Sequence, residues 1–344
     1  MKRSGQTMPN LMKYSALNLV PIREGNNDKE AIDQMVALAQ HLEQYQYERL
    51  WIAEHHNAPN LVSSATALLI QHALHYTREM RMGSGGIMLP NHAPLVVAEQ
   101  FGTLNTLYGD RVDLGLGRAP GTDMATASAL RRDQHQGVYQ FPDEVQQLLQ
   151  YFGPETKQGY VKAIPAVGKN VPIYILGSST DSAHLAARKG LPYVFAGHFA
   201  PQQMQEAISI YQTLFEPSEY LKEPYVIICL NVIIADSDEE AHYLATTQSQ
   251  IFASILRGRM DKMQPPTDDL SQLLSPREIA MAEARIQNSL IGDKASVNQQ
   301  MDALIQKHGS INEIMAVSYI YDTALQHRSY RYFKELIDER NQKQ

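Results

Sequence analysis

Four short stretches concentrate the residue types that do chemistry. Glu54-His55-His56 sets a carboxylate beside two imidazoles, the groups of general acid–base work or of a metal site. Zinc usually takes histidines two or four apart with a further ligand elsewhere, so adjacent histidines favour one inward imidazole handling protons over a metal. Neighbours on an extended segment point to opposite faces, and His55 and His56 therefore should not share a pocket. A hydrogen-bonded structural histidine is the plainer alternative. Gly85-Gly86 permits close backbone approach by a flat ligand or an unusual peptide conformation, unless it is a simple turn. Gly177 to Ser182, GSSTDS, reads as a turn into a helix, whose first N–H groups attract phosphate or are merely capped by Ser or Thr. Arg118, in GLGRAPGTD, could complete a phosphate clamp or pair with Asp113 or Asp123.

These stretches need elements that bring them together. Short apolar runs alternate with segments of helical period, which predicts parallel strands joined by helices. Strands are expected at Ser15 to Val20, Leu50 to Ala53, Met80 to Met88, Val112 to Leu116, Pro172 to Leu176, Tyr193 to Ala196, Val226 to Ile234 and Ile314 to Tyr319. Helices are expected at Lys29 to Gln46 with Asp28 as N-cap, Ser63 to His75, Pro94 to Tyr108, Pro142 to Tyr151, Asp181 to Lys189 and Pro201 to Phe215. From about Ser249 to Gly309 a polar, mostly helical insertion precedes the last strand. No G-x-G-x-x-G follows the first strand, so a closed (β/α)8 TIM barrel of one domain, 1–344, is preferred to an open dinucleotide-type sheet. In such a barrel all four stretches fall at or just after strand ends, on the C-terminal rim where barrels keep their chemistry.

Composition narrows the partners. The 344 residues carry 44% hydrophobic and 19% charged side chains, enough to bury a large core. A net charge of −7, with no basic run longer than Arg131-Arg132, lacks the footprint of a nucleic-acid binder. No apolar stretch is long enough to span a bilayer, and the N-terminus has no apolar run behind its basic residues, so a cytoplasmic protein is expected. Cys229 is the only cysteine, which excludes an internal disulfide; its apolar neighbours suggest a buried structural thiol.

In order, WIAEHH, GSGGIMLPNHAPLVVAEQFGTL, RVDLGLGRAPGTD and GSSTDSAHLAARKGLP closely resemble the landmarks of the bacterial luciferase-like flavin monooxygenases. The resemblance is strong from about Tyr14 to Ala200 and weaker to about Asp322. It implies a (β/α)8 barrel that binds reduced FMN without a covalent link, reacts it with O2 to a flavin peroxide and oxygenates a small organic substrate. Carried over by position, His55 takes the catalytic role. Gly85 and Gly86 match a pair joined by a cis peptide beneath the isoalloxazine ring, and Arg118, Gly177, Ser178, Ser179 and Ser182 lie at the FMN phosphate. The resemblance further implies an NAD(P)H-dependent flavin reductase as partner and a homodimer, to which Met35, Leu38 and Leu42 would contribute. Where luciferase has a reactive cysteine this chain has Leu116, and Ser178 replaces an acidic residue; the mobile loop has no obvious counterpart, so light emission is not implied. Competing readings are a deazaflavin-dependent hydride-transfer enzyme of the same fold, a flavin-binding protein without turnover, and a metal-dependent hydrolase using His55, His56 and His92.

Overall fold

The computed structural model describes residues 11–119, 122–130 and 137–343. Pro120 and Gly121 of the arginine motif, the Arg131-Arg132 run and the first ten residues lie outside the described set.

Eight strands close a parallel barrel: β1 (Lys13–Asn18), β2 (Arg49–Ile52), β3 (Arg81–Met88), β4 (Val112–Gly117), β5 (Ile173–Gly177), β6 (Tyr193–Phe195), β7 (Val226–Ile234) and, last in the chain, β9 (Glu313–Val317). Neighbours pair in sequence order, β9 lies between β7 and β1, and pairing of β6 with β7 completes the circle. A short additional strand, β8 (Leu290–Gly292), pairs with the far end of β7, Ile234 meeting Gly292. The stretch read from sequence as a mostly helical insertion thus also extends the sheet.

The helices are α1 (Asp28–Gln44), α2 (Thr66–His75), α3 (Pro94–Tyr108), α4 (Met124–Leu130), α5 (Gly137–Phe152), α6 (Thr180–Lys189), α7 (Met204–Leu214), α8 (Asp238–Leu256), α9 (Pro276–Ile286), α10 (Lys294–His308) and α11 (Thr323–Asn341). Their starts correct two expectations. The α1 cap is Asn27, not Asp28: its side chain accepts the Glu30 N–H while Glu30 accepts the Asn27 N–H, a reciprocal box that Asp28, one residue inside, cannot make. Pro142 lies within α5, which begins five residues earlier at Gly137. The α8 helix starts at Asp238, ahead of the expected insertion, and α10 is the connection that returns the chain to β9.

Strand side chains divide between two cores. Those facing out, such as Ala16, Leu50, Ile52 and Ile228, pack under the helices in the larger core. Those facing in, Leu17, Trp51, Tyr174, Val194, Ile227, Cys229 and Met315, fill the barrel. All nine residues of β7 are buried, the mark of a parallel strand covered on both faces. Met35, Leu38 and Leu42 are at most 1% exposed inside the outer core, so they cannot form a dimer face; the stripe that suggested one is spent on the chain's own packing.

The N-terminal end of the barrel is closed by buried charge. Arg49 of β2 donates to Asp113 of β4 at 2.8 Å and to Glu313 of β9 at 3.0 Å, and to the Tyr174 hydroxyl at 2.7 Å. Arg81 Nε also donates to Asp113, at 2.9 Å, and Trp51 Nε1 does so at 3.1 Å. The two arginines hold the Asp113 carboxyl below the usual range against the opposing effect of its burial. Asp113, once a candidate partner for Arg118, therefore belongs to the opposite end of the barrel.

Candidate active site

The opposite, C-terminal end opens into a cavity of about 480 Å³ to which every barrel strand or the loop after it contributes. Leu17, Trp51, Gly85, Gly117, Leu176, Val194, Cys229 and Met315 come from the eight strands in turn, and Ile251, Phe252 and Ile255 of α8 form the outer wall. Arg285 of α9 lies over the rings of Phe199 and Phe252, 5.6 and 5.9 Å from their centroids, which ties the segment before β9 to the cavity mouth.

The cavity brings His55, Gly85, Arg118, Gly177, Ser178, Ser179 and Ser182 together. Gly86 is not on its wall. The Gly85–Gly86 peptide is cis. A Cβ at Gly85 would fall 2.5 Å from Leu17 Cδ1 and 3.1 Å from Trp51 Cβ, so a side chain there would have to displace Leu17 and press on Trp51.

His55 is half-buried, and its Nδ1 is buried without a partner. Burial pushes the imidazole below its ordinary pKa, against the pull of the Glu54 charge, and His56 adds to the depression. His56 does not face away as expected, because it too lines the cavity. The segment after β2 is not a strand, and Asn57 takes a left-handed conformation at φ 53°, so the two-residue alternation of extended chain does not apply. Glu54, 1% exposed, accepts from His56 Nε2 at 2.7 Å, His92 Nε2 at 2.8 Å and the Met88 N–H at 2.9 Å. Burial alone would raise its pKa, but these bonds lower it to about 2. The ligand atoms of Glu54, His56 and His92 lie within 4.8 Å of one another and could hold a metal ion; the metal-hydrolase reading had enlisted His55 where the fold supplies Glu54.

Around α6 the serines divide. Ser179 is the N-cap but makes no side-chain cap bond, so the first-turn N–H groups of α6 have no side-chain cap. The Ser182 hydroxyl is turned inward, donating to the Ser179 carbonyl at 2.7 Å beside the Tyr193 hydroxyl at 3.1 Å. A Cβ on Gly177 would stand 2.1 Å from that oxygen, so the glycine lets the turn close over Ser182. Arg118 lies at the same turn and donates to Asp181 at 3.2 Å, Arg118 partly and Asp181 largely exposed. That partner is neither of the two read from sequence; Asp123 instead caps α4 through Ala125, Thr126 and the Thr126 hydroxyl.

Sequence reasoning missed other cavity residues. His198, after β6, and Tyr319, after β9, line it, and so does Cys229, whose burial was expected but not its place on the cavity wall. A lone His or Tyr at a strand end carries no spacing signal, and only closure of the barrel sets these two beside the rest.

An eight-stranded parallel barrel with a largely apolar, histidine-containing cavity at its C-terminal mouth is the architecture of an oxidoreductase of the luciferase-like class. The family model described as luciferase-like monooxygenase matches residues 12–310, and the chain belongs to that family. It is 42% identical to a luciferase-like monooxygenase of Escherichia coli strain K12, over 90% of this chain and 92% of that one. It is similar to the crystal structure of apo-MsnO8, with TM-score 0.88 and 30% identity over 95% of this chain and 98% of that one. It also shares its fold with the oxygenating constituent of 3,6-diketocamphane monooxygenase from Pseudomonas putida, solved in complex with FMN: TM-score 0.70, 18% identity, 95% and 97% covered.

Proposed function

We propose that this chain is an FMN-dependent monooxygenase that uses reduced FMN and O2 to oxygenate a small organic substrate. The observation that carries the reading is the convergence of His55, Gly85, Arg118 and the Gly177–Ser182 turn, from four successive strand ends, on one apolar cavity. The residues fit the cofactor. The uncapped start of α6 suits a phosphate, and Arg118 can turn to it at little cost because its exposed pair with Asp181 contributes little. Gly85 lines the cavity without a side chain, so a ring can approach its backbone.

Reduced flavin, when bound, supplies the electrons that activate O2. The chain's part is to hold the phosphate, exclude water with the apolar wall, and manage one proton. His55 is kept neutral by burial, and with Nδ1 buried its Nε2 is the nitrogen able to exchange a proton with the cavity. The name of the E. coli relative and the bound FMN of the camphane enzyme support the reading. The camphane protein is the oxygenating constituent of its enzyme, which supports a second component; for this chain that component would be an NAD(P)H-dependent flavin reductase. We place the protein in the cytoplasm; no helix among the described residues is long and apolar enough to cross a membrane. It would act as one domain and as a homodimer, through α2 and α3, where Leu68, Val96 and Leu107 are exposed.

The test is anaerobic titration with reduced FMN, followed by oxygen uptake with aldehydes, ketones, sulfonates and polyketide-like compounds. Arg118→Ala should weaken reduced FMN about tenfold or more, as loss of a charge-assisted phosphate contact does. Failure to bind FMN alongside tight binding of a deazaflavin would overturn the cofactor, and an unchanged affinity in Arg118→Ala would overturn the phosphate site.

A further inference from the structure

The residues assigned to the cofactor follow β2 to β5 and leave the arc of β6, β7 and β9 without a role. That arc is not chemically blank. His198 follows β6, Cys229 is in β7 and Tyr319 follows β9, and β7 lies between the other two strands. The His198 N–H donates to the Cys229 carbonyl at 2.8 Å, while Cys229 pairs in register with Met315, four residues before Tyr319. His198 and Tyr319 thus flank one position of β7 from either side.

Both side chains are deep in the barrel mouth yet remain partly accessible, and both line the cavity, so their accessible surface opens inward. His198 Nδ1 is buried without a partner. An unpaired buried lone pair costs less than an unpaired buried N–H, which puts the ring proton on Nε2. Neither ring makes a side-chain hydrogen bond among the described residues. Burial pushes the His198 imidazole down to about 4, with His55 adding to the effect, and raises the Tyr319 phenol. At neutral pH they are an uncharged N–H and an uncharged O–H. A buried donor left unpaired costs free energy, and water or a ligand must meet these two.

The surroundings state what kind of ligand. Leu19, Phe252, Ile255 and Met263 give the wall an apolar character. The fixed charges on it, Arg118 and Asp261, are paired with Asp181 and Arg259. We propose that His198 and Tyr319 form the substrate-positioning subsite of this cavity, where their N–H and O–H hold the hydrogen-bond-accepting atom of an uncharged, largely apolar compound. The assignment rests on the monooxygenase reading only for the word substrate; the subsite itself is a binding property of the chain without flavin.

Trp51 is the only tryptophan and lines the same cavity, so its emission reports occupancy. The experiment titrates the flavin-free full-length chain with 2-decanone, decane and decanoate, following Trp51 fluorescence. The ketone should bind saturably, and more tightly than either the alkane, which lacks an acceptor, or the carboxylate, which brings a charge. Tyr319→Phe and His198→Phe should each weaken the ketone about fivefold or more, the size of one lost hydrogen bond, and leave the alkane unchanged; His198→Gln, which keeps a donor, should recover part of the loss. Thermal melts and FMN titrations of the variants separate lost folding and lost cofactor from a lost subsite. No saturable ketone binding, tighter binding of decanoate, or ketone affinity unchanged in both Phe variants would overturn the proposal. Failure to bind FMN with ketone binding intact would overturn the monooxygenase reading alone.

Discussion

At the residue scale, His55 separates an oxygenase from a protein that only holds flavin. Its imidazole is neutral, has a buried Nδ1 and faces the cavity, whereas the groups proposed for the phosphate lie just after β4 and in the turn from β5 into α6. His55→Ala should therefore leave reduced-FMN affinity nearly intact. Product per reduced flavin should fall about 10²- to 10⁴-fold, the range for a general acid or base, while oxygen is still consumed and appears as hydrogen peroxide. Single-turnover measurement of product and peroxide decides the point, and normal coupling in the variant would remove His55 from the mechanism. His56→Ala acts elsewhere: it takes a donor from the buried Glu54 carboxylate, and its effect should appear first in stability.

At the element scale, the chemistry of the strand ends depends on the strand beginnings. Arg49, Asp113 and Glu313 join β2, β4 and β9 at the N-terminal end of the barrel, and all three are 3% exposed or less. Removing Arg49 leaves the buried Glu313 carboxylate without a cation among the described residues and Asp113 with Arg81 alone. Arg49→Met should cost about 3 to 5 kcal/mol of stability, read as a lowered denaturant midpoint with little change in slope; a loss under 1 kcal/mol would mean that water reaches the network. None of this could be read from sequence, because residues 49, 113 and 313 are neighbours only once the barrel has closed. The strands themselves were legible from their apolar runs, every end within two residues of the observed one and β7 matched at both ends. Val20, expected within the first strand, has φ 51° and lies past its end.

At the scale of the whole molecule, two properties follow. The first is acid sensitivity. His198 and His327 are both pushed down to about 4, chiefly by burial, while unfolded they would titrate near 6.5. Between those values the unfolded chain binds more protons, so stability rises with pH across the window and is lost as pH falls from about 6.5 toward 4. Glu54, lowered from 4.5 to about 2, adds a contribution present above about 4.5 and lost as pH falls further. Melting temperatures should drop by several degrees between pH 7 and pH 4.5, and less so in His327→Gln; a flat profile would contradict the burial of these imidazoles. The second is assembly. If α2 and α3 form the homodimer face, Leu68→Glu with Leu107→Glu should halve the mass seen by light scattering, and a wild-type monomer would end the proposal.

By itself the sequence determined the alternation of strands and helices, the barrel class, and the positions of His55, Gly85, Arg118 and the serine turn, because each belongs to a local pattern: a period, a turn, a motif read along the chain. Tertiary structure alone decided the partners. It gave Glu54 both His56 and His92, gave Arg118 Asp181, turned Ser182 inward, hid Met35 and Leu42, and set His198 beside Tyr319 across β7. Each of these is a contact between residues far apart in the chain or a choice of facing direction. Both are fixed by closure of the barrel and the packing of helices on it, through distances and burial that no local spacing encodes.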